Sequence, residues 1–401
     1  MKMSGKFYDS LAKFLLNIRK LEEINENHIT LVSDHVKPRV AKIGYALRKK
    51  GFQVTLLLDK SNKKEIFNSD FKFYDRIFYF SSKEEVYSKC LLDRPLVYHI
   101  FSEAQVKPWS EYLIQNKYRL GKVVYDQYDV YRDFVSCKKD EFTNREQYCM
   151  ENADGLCCRM FETQYLKQKY HYKFMGKRIL FFDYCWNKYK EDNRQDERAH
   201  CLKFIYGGRL IPINSSDLRA KIEWEGFKYI AEIVQKNKDY FIVVPSHLCE
   251  GKAFRSYRNL KLKNPHFVIK EPMTFKKLVR YESKMDYGID CVEFQTRIDE
   301  YDSKFRNKIN LKEKMKFYAT NKYFDYLDAG VMPIYGRQGE LFGNYLARFG
   351  GAVRCSLEEM PDKMNELRTN RDINKKKACK AREVFAIENQ IGRLIAFYKE
   401  I

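Results

Sequence analysis

The sequence predicts an α/β chain made of two doubly wound parallel sheets. Three observations lead there. Short apolar, β-branched runs alternate with amphipathic helical stretches at about 20-residue spacing, the rhythm of repeated βαβ units. A polar, charged run over 187–200, NKYKEDNRQDERAH, has linker composition and divides the alternation in two. At 401 residues the chain is long for one core and suits two.

The first half opens with strand HITLVS from His28, the amphipathic helix RVAKIGYALRKKG stopped by Gly51, and strand FQVTLLL. A right-handed crossover places the 33–39 loop at the carboxyl edge of the sheet, where open α/β sheets bind ligands. That loop lacks G-x-G-x-x-G, which argues against a dinucleotide oxidoreductase. His35 and Arg39 lie in it, as acceptor-side candidates or as plain surface-loop residues. Strands RIFYF, PLVYHIF and KVVYDQY follow. His99 stands near the end of its strand, and Asp126 and Asp129 end the next. His99 and Asp126 are candidate bases, although a strand histidine also reads as a satisfied core residue. Asp129 is a further acceptor-side candidate, and Asp126-x-x-Asp129 also suits loop capping. LCCRM, helix FETQYLKQKY and strand RILFFDYCW close this half.

The second half begins with strand LKFIYGGRL, whose Gly207-Gly208-Arg209 lets backbone approach a pyrophosphate and adds a charged donor. Helix EGFKYIAEIVQKN, strand YFIVVPS, strand HFVIKEP, helix TFKKLVRYESK and strand Asp286-Tyr287-Gly288-Ile289 come next. A helix over 321–329 then carries Lys322 and Asp325 three apart, ends at Gly330, and leads into strand Val331–Tyr335. A lysine at a helix start with a carboxylate one turn on can hold a phosphate and a ribose together, or form a solvated ion pair. GGAVRC makes a last short strand, and SLEEMPDKMNELR and the run from Ile373 to the end are helical.

The run Asn321-Lys322-x-x-Asp325-Tyr326-Leu327-x-Ala329-Gly330 resembles the NK-x-x-EYL-x-AG motif of glycosyltransferases of GT-B fold, close to family 4. ENADGLCCRMFETQYL resembles the passage closing their N-terminal domain, and the 286–289 strand resembles their DxGL strand. The resemblance implies two Rossmann-like domains facing a cleft, with the C-terminal helix crossing back to the first. Residues 1–195 would bind the acceptor, 201–380 the nucleotide sugar, and 381–401 would form the returning helix. It implies that Asp325 binds the ribose, that Arg209 and Lys322 face the diphosphate during catalysis, and that the Glu271 segment holds the base. Gly207, Gly208 and Asn321 complete the donor set. Phe317 stands where family 4 usually has a donor-sugar glutamate, and position 214 is asparagine where relatives have a lysine. The implied activity is transfer of a sugar from a UDP-, GDP- or other nucleotide sugar, used as co-substrate, to a glycan, lipid-linked or protein acceptor in glycoconjugate synthesis. The alternative is a non-catalytic nucleotide-sugar or glycan-binding protein on the same scaffold.

Composition narrows the partners. A formal charge of +21 calls for anionic ligands, yet basic residues are spread throughout and no nucleic-acid module stands out, so nucleic acid is not expected. The 11 cysteines include no C-x-x-C, and no D-x-D occurs, so neither a disulfide framework nor a bound metal or other cofactor is expected. No apolar run reaches the roughly 18 residues of a membrane span, and no signal peptide is apparent; a cytoplasmic protein is expected. The stretch 5–22 gathers Phe7, Leu11, Phe14, Leu15 and Ile18 on one helical face ringed by Lys and Arg. That face suits an anionic membrane surface, at the inner side of the membrane, or the flank of its own domain. On the membrane reading, deleting residues 1–22 abolishes sedimentation with anionic vesicles and leaves the thermal transition nearly unchanged. A large loss of stability would show instead that the helix belongs to the core.

Overall fold

In the computed structural model the chain divides into two compact units, residues up to Asp183 with Gln390–Ile401, and Tyr184–Asn389. The structure describes residues 24–60, 73–102, 106–127, 130, 140–159, 161–191, 201–213, 218–290, 316–317, 320–336 and 339–401. The 5–22 stretch, Asp129, position 214 and residues 192–200 of the polar run lie outside the described residues.

The first unit is a seven-stranded sheet in the order β3-β2-β1-β4-β5-β6-β7, parallel throughout. Its strands are β1 (Asn25–Ser33), β2 (Gln53–Asp59), β3 (Arg76–Phe80), β4 (Pro95–Phe101), β5 (Val123–Gln127), β6 (Gly155–Cys158) and β7 (Lys177–Leu180). Helices α1 (Pro38–Lys49), α2 (Lys83–Leu92), α3 (Pro108–Gln115), α4 (Lys117–Leu120), α5 (Asp140–Asn152) and α6 (Glu162–Tyr170) interleave with them. Every residue of β4 and β5 is buried, as parallel strands covered on both faces require. The order reverses between β1 and β4, which sets this unit's switch point.

The second unit repeats the plan with six parallel strands in the order β10-β9-β8-β11-β12-β13. These are β8 (Lys203–Gly208), β9 (Tyr240–Pro245), β10 (Phe267–Ile269), β11 (Tyr287–Ile289), β12 (Met332–Tyr335) and β13 (Val353–Arg354). Its helices are α7 (Leu218–Asn237), α8 (Arg255–Lys263), α9 (Phe275–Glu282), α10 (Lys322–Asp328), α11 (Glu340–Ala347), α12 (Met360–Thr369) and α13 (Arg371–Val384). Gly330 follows α10 with φ +69, the left-handed stop that its position predicts. Here the switch point lies between β8 and β11.

Two sequence expectations change. The strand expected over RILFFDYCW is shorter, since β7 ends at Leu180. The helical reading of the last 29 residues breaks at Phe385–Ala386, giving α13 and α14 (Ile387–Glu400). No glycine or proline marks the break. Its cause is tertiary: Cys185 N–H donates to the Phe385 carbonyl at 2.8 Å, and Ile387 N–H donates to the Cys185 carbonyl at 2.8 Å. Gln390–Ile401 then group with the first unit, where Arg393 Nη2 reaches the Leu180 carbonyl at 3.2 Å. Among the described residues no helix is long and apolar enough to cross a membrane.

One close approach governs the second core. A Cβ on Gly288 of β11 would stand 2.1 Å from Tyr326 Cδ2. Gly288→Ala should therefore force the ring aside and cost about 1–3 kcal/mol, the range for overpacking. Urea unfolding followed by tryptophan fluorescence reads it; an unchanged midpoint would show that the ring yields freely.

Candidate functional site

The β8/β11 switch point collects most of the donor residues the sequence singles out. Paired at Tyr287–Phe204 and Gly288–Ile205, the two strands part beyond that point. Tyr326 fills the gap: its hydroxyl accepts from Gly207 N–H at 3.2 Å and donates to the Ile289 carbonyl at 2.9 Å. Burial first, then Glu282 and Asp290, hold its phenol well above the ordinary tyrosine range, so it keeps its proton.

Gly208 ends β8 directly against Lys322. A Cβ there would lie 2.5 Å from Lys322 Cε, so glycine admits the lysine to the strand end. Lys322 Nζ pairs with Asp290 Oδ1 at 2.6 Å and stands 5.3 Å from the Tyr206 ring centroid. Its side chain is 24% exposed, whereas that of Asp290 is fully buried. The lysine thus remains open to a ligand while its counter-ion does not. Asn321 occupies the N-cap position in helical conformation, without a side-chain cap. Asp325, one turn on, is half-buried. Arg209 follows the glycines with its side chain exposed, and its carbonyl accepts from Tyr206 at 3.0 Å.

The neighbouring strand end carries a small hollow. Pro245 is the register partner of Gly208, and from it opens a cavity of about 140 Å³ lined by Leu248, Phe254, Tyr257, Arg258 and Glu271 among others. Glu271 is exposed at this hollow, as a residue meeting a nucleobase would need to be.

The first unit treats its predicted residues differently. Arg39 is not in a surface loop, as the sequence suggests; it lies in the first turn of α1 and is 2% exposed. Its guanidinium grips Asp126, with Nε at 2.8 Å from Oδ1 and Nη2 at 2.8 Å from Oδ2. Nη1 reaches Asp183 at 3.3 Å, and Arg159 holds the other oxygen of Asp183 at 2.9 Å. Burial alone would raise the Asp126 pKa, but Arg39 and then His99 outweigh it and bring the carboxyl down to about 2. Burial pushes His99 below the ordinary imidazole range despite Asp126. The neutral ring then donates from Nε2 to Asp126 at 3.1 Å and accepts at Nδ1 from Tyr398 at 2.6 Å. His99 and Asp126 are both fully buried.

His99, Asp126 and Cys157 also bring three metal-ligand atoms within 4.8 Å of one another. The cationic place among them is taken: Arg39 Nη2 lies 3.4 Å from Cys157 Sγ while bonded to Asp126. His35, half-buried in the loop before α1, has its N–H and carbonyl on Ser33 Oγ at 3.2 and 2.6 Å. A larger hollow of about 610 Å³ lies beside β7, lined by Phe161, Lys167, Phe174, Lys177 and Arg178 among others. None of the residues the sequence singles out lines it.

Three residues escape a sequence reading. Asp290 follows a strand of only three residues, with nothing to mark it. Gln127, 1% exposed at the end of β5, has neither amide atom hydrogen-bonded among the described residues. Glu282 continues the face of α9 begun by Phe275, Leu278 and Val279, so its signal is a carboxylate on an apolar stripe.

Removing Arg39 should strand a buried charge. Arg39→Ala is expected to lose about 3–5 kcal/mol at neutral pH. The depressed pKa of Asp126 favours the folded state fully above the unfolded value near 3.8 and loses that advantage as pH falls through about 2. The Arg39→Ala deficit, measured by urea unfolding at pH 7 and at pH 2.5, should therefore narrow in acid. A deficit that stays level would mean that the ion pair is not its source.

No protein-family model matches the sequence, and no curated protein does. Solved structures match nearly the whole chain. A glycosyltransferase from Rickettsia africae superposes with a TM-score of 0.62 at 14% identity, covering 94% of this chain and 98% of that one. The Anabaena protein Alr3699/HepE, in complex with UDP-glucose, does so at 0.55 and 10% identity, covering 92% and 98%. An α,α-trehalose-phosphate synthase (UDP-forming) from Burkholderia vietnamiensis gives 0.56 at 9% identity, covering 93% and 100%. At such identities the likeness shows the fold: two parallel α/β sheets of the GT-B kind.

Proposed function

We propose that the chain is a glycosyltransferase whose second unit binds a nucleotide-sugar donor at the β8/β11 switch point. The observation that carries this reading is Lys322, seated against Gly208 and open to solvent beside a buried carboxylate. A diphosphate laid over Gly207–Gly208 meets backbone without Cβ atoms and two cations, Lys322 and Arg209. Asp325 accepts from the ribose hydroxyls, and the hollow beyond Pro245 takes the base next to Glu271. When the bond from sugar carbon to diphosphate oxygen breaks, negative charge grows on the leaving group, and Lys322 and Arg209 stabilise it there. That role needs no metal. The Anabaena neighbour's UDP-glucose supports a uridine nucleotide as the first donor to try. The acceptor, a glycan, a lipid-linked glycan or a protein, belongs to the first unit on this reading, and so do His35 and Asp129.

A second reading, a nucleotide-sugar-binding protein without turnover, draws on the first unit. His99 and Asp126, the two candidate bases, are sealed from solvent in an ion-pair network, which favours a structural role for both. Donor hydrolysis assayed across UDP, GDP, ADP, CMP and dTDP sugars separates the readings, since a binder alone gives none.

The test of the donor site is calorimetric titration of UDP. A hydrogen bond to a charged group is worth roughly 1.5–3 kcal/mol, so Asp325→Ala should weaken binding about ten- to a hundredfold. Lys322→Ala should weaken it too and lower turnover further, because leaving-group charge peaks in the transition state. If both variants fold and bind the nucleoside diphosphate as tightly as the parent, the nucleotide site lies elsewhere.

A further inference from the structure

Glu282 is the carboxylate that the donor site does not use. It is 1% exposed, and among the described residues its carboxyl has no hydrogen bond or ion pair. It closes α9, behind the end of β8: a Cβ on Gly207 would meet Glu282 Oε1 at 2.9 Å. The charged and titratable groups around it are few. From α10 come Asp325 and Asp328, which act on it directly, and Tyr326. At the end of β11, Asp290 is already paired with Lys322. On its own helix, Arg280 is exposed, and among the described residues no cation acts on Glu282. An ionised carboxylate cannot stay buried with two like charges and no counter-ion, so this one holds its proton.

We propose that Glu282 is a positioning residue for the donor diphosphate: its uncharged carboxyl, wedged between Gly207 and the acidic side of α10, keeps the Gly207–Gly208 strand end fit for an anion, and ionising it undoes that fit. The inference rests on the nucleotide reading of the second unit. Its logic is reciprocal. An anion on the strand end adds negative charge beside Glu282 and tightens the hold on its proton; by linkage the proton strengthens the anion's binding to the same degree. Burial first, then Asp325 and Asp328, set the carboxyl well above the ordinary glutamate range.

A raised pKa also fixes the sign of the stability effect. The folded state gains fully from binding this proton below the unfolded pKa near 4.5 and loses that gain as pH rises toward the folded pKa. Glu282→Gln, neutral at every pH and close in shape, should therefore grow more stable relative to the parent from pH 5 upward.

The experiment pairs two measurements on the full chain and on Glu282→Gln between pH 6 and 10. One is UDP affinity by calorimetry, where the glutamine variant controls for the titration of the nucleotide itself. The other is the thermal midpoint without nucleotide, extended down to pH 5. The expected result is a parent affinity that falls at least fivefold further than the variant's toward high pH, with a midpoint gap that widens over the same interval. Parallel affinity curves beside a widening gap would make Glu282 a purely structural buried acid and overturn the proposal. A midpoint gap that ignores pH would overturn it as well, because the carboxyl would not be held neutral. If neither protein binds UDP, GDP or ADP while the gap still widens, it is the nucleotide reading that has failed, and the proposal falls with it. Glu282→Leu repeats the comparison should the glutamine variant not fold.

Discussion

The second unit depends on a single phenol. Where β8 and β11 part, a backbone N–H and a backbone carbonyl lose their strand partners in the middle of a core. Unsatisfied, each such group would cost on the order of 1–3 kcal/mol. Tyr326 answers both, taking the Gly207 N–H and giving its own proton to Ile289, with its ring laid against Gly288. The separation it props open is the crevice in which doubly wound sheets bind their ligands. Because Tyr326 is one residue from Asp325 and four from Lys322, fixing this ring also fixes where α10 presents both candidate side chains.

The first unit gathers charge at its strand ends. There Arg39 joins Asp126 from β5 and Asp183 beyond β7, and Asp126 joins His99 from β4, whose ring takes the Tyr398 hydroxyl of α14. Burying ions is expensive, and an apolar replacement of such a cluster is often no less stable. What the cluster adds is direction: the bidentate fork of Arg39 accepts one geometry of Asp126, and the neutral imidazole tautomer accepts one placement of Tyr398. Two sheets wound on one plan thus differ, one with a locked polar cluster and one with a partly exposed lysine at a strand end.

The alternation of strands and helices was legible in the sequence because period and glycine punctuation are local signals. β3 and β4 fall where RIFYF and PLVYHIF predict them, and Gly330 takes the left-handed stop. The break between α13 and α14 was not legible, since Cys185, some 200 residues away in sequence, creates it. The site divides in the same way. Lys322, Asp325 and the two glycines announce themselves by spacing, and the structure gathers Lys322 and Gly208 at one strand end. Arg39 reads as a loop residue because nothing local says that an aspartate from β5 and another beyond β7 will enclose it. Asp290 and Glu282 are silent for a related reason: a carboxylate acquires its meaning from its partner, or from having none.

The pairing of Lys322 with Asp290 carries the electrostatic argument one step further. At 2.6 Å from a fully buried carboxylate, the ammonium is held at the strand end before any ligand arrives, so little side-chain entropy remains to be lost on binding. On the proposed reading a diphosphate would approach the exposed part of the lysine while Asp290 stays in place. Asp290 offsets part of the positive charge, which would weaken ground-state attraction for a donor. On that reading, as the bond from sugar carbon to diphosphate oxygen breaks and charge builds on the leaving group, the same fixed ammonium would meet a stronger anion without moving. A cation held in place beforehand would then stabilise the transition state more than the bound donor, and that difference is what accelerates a reaction.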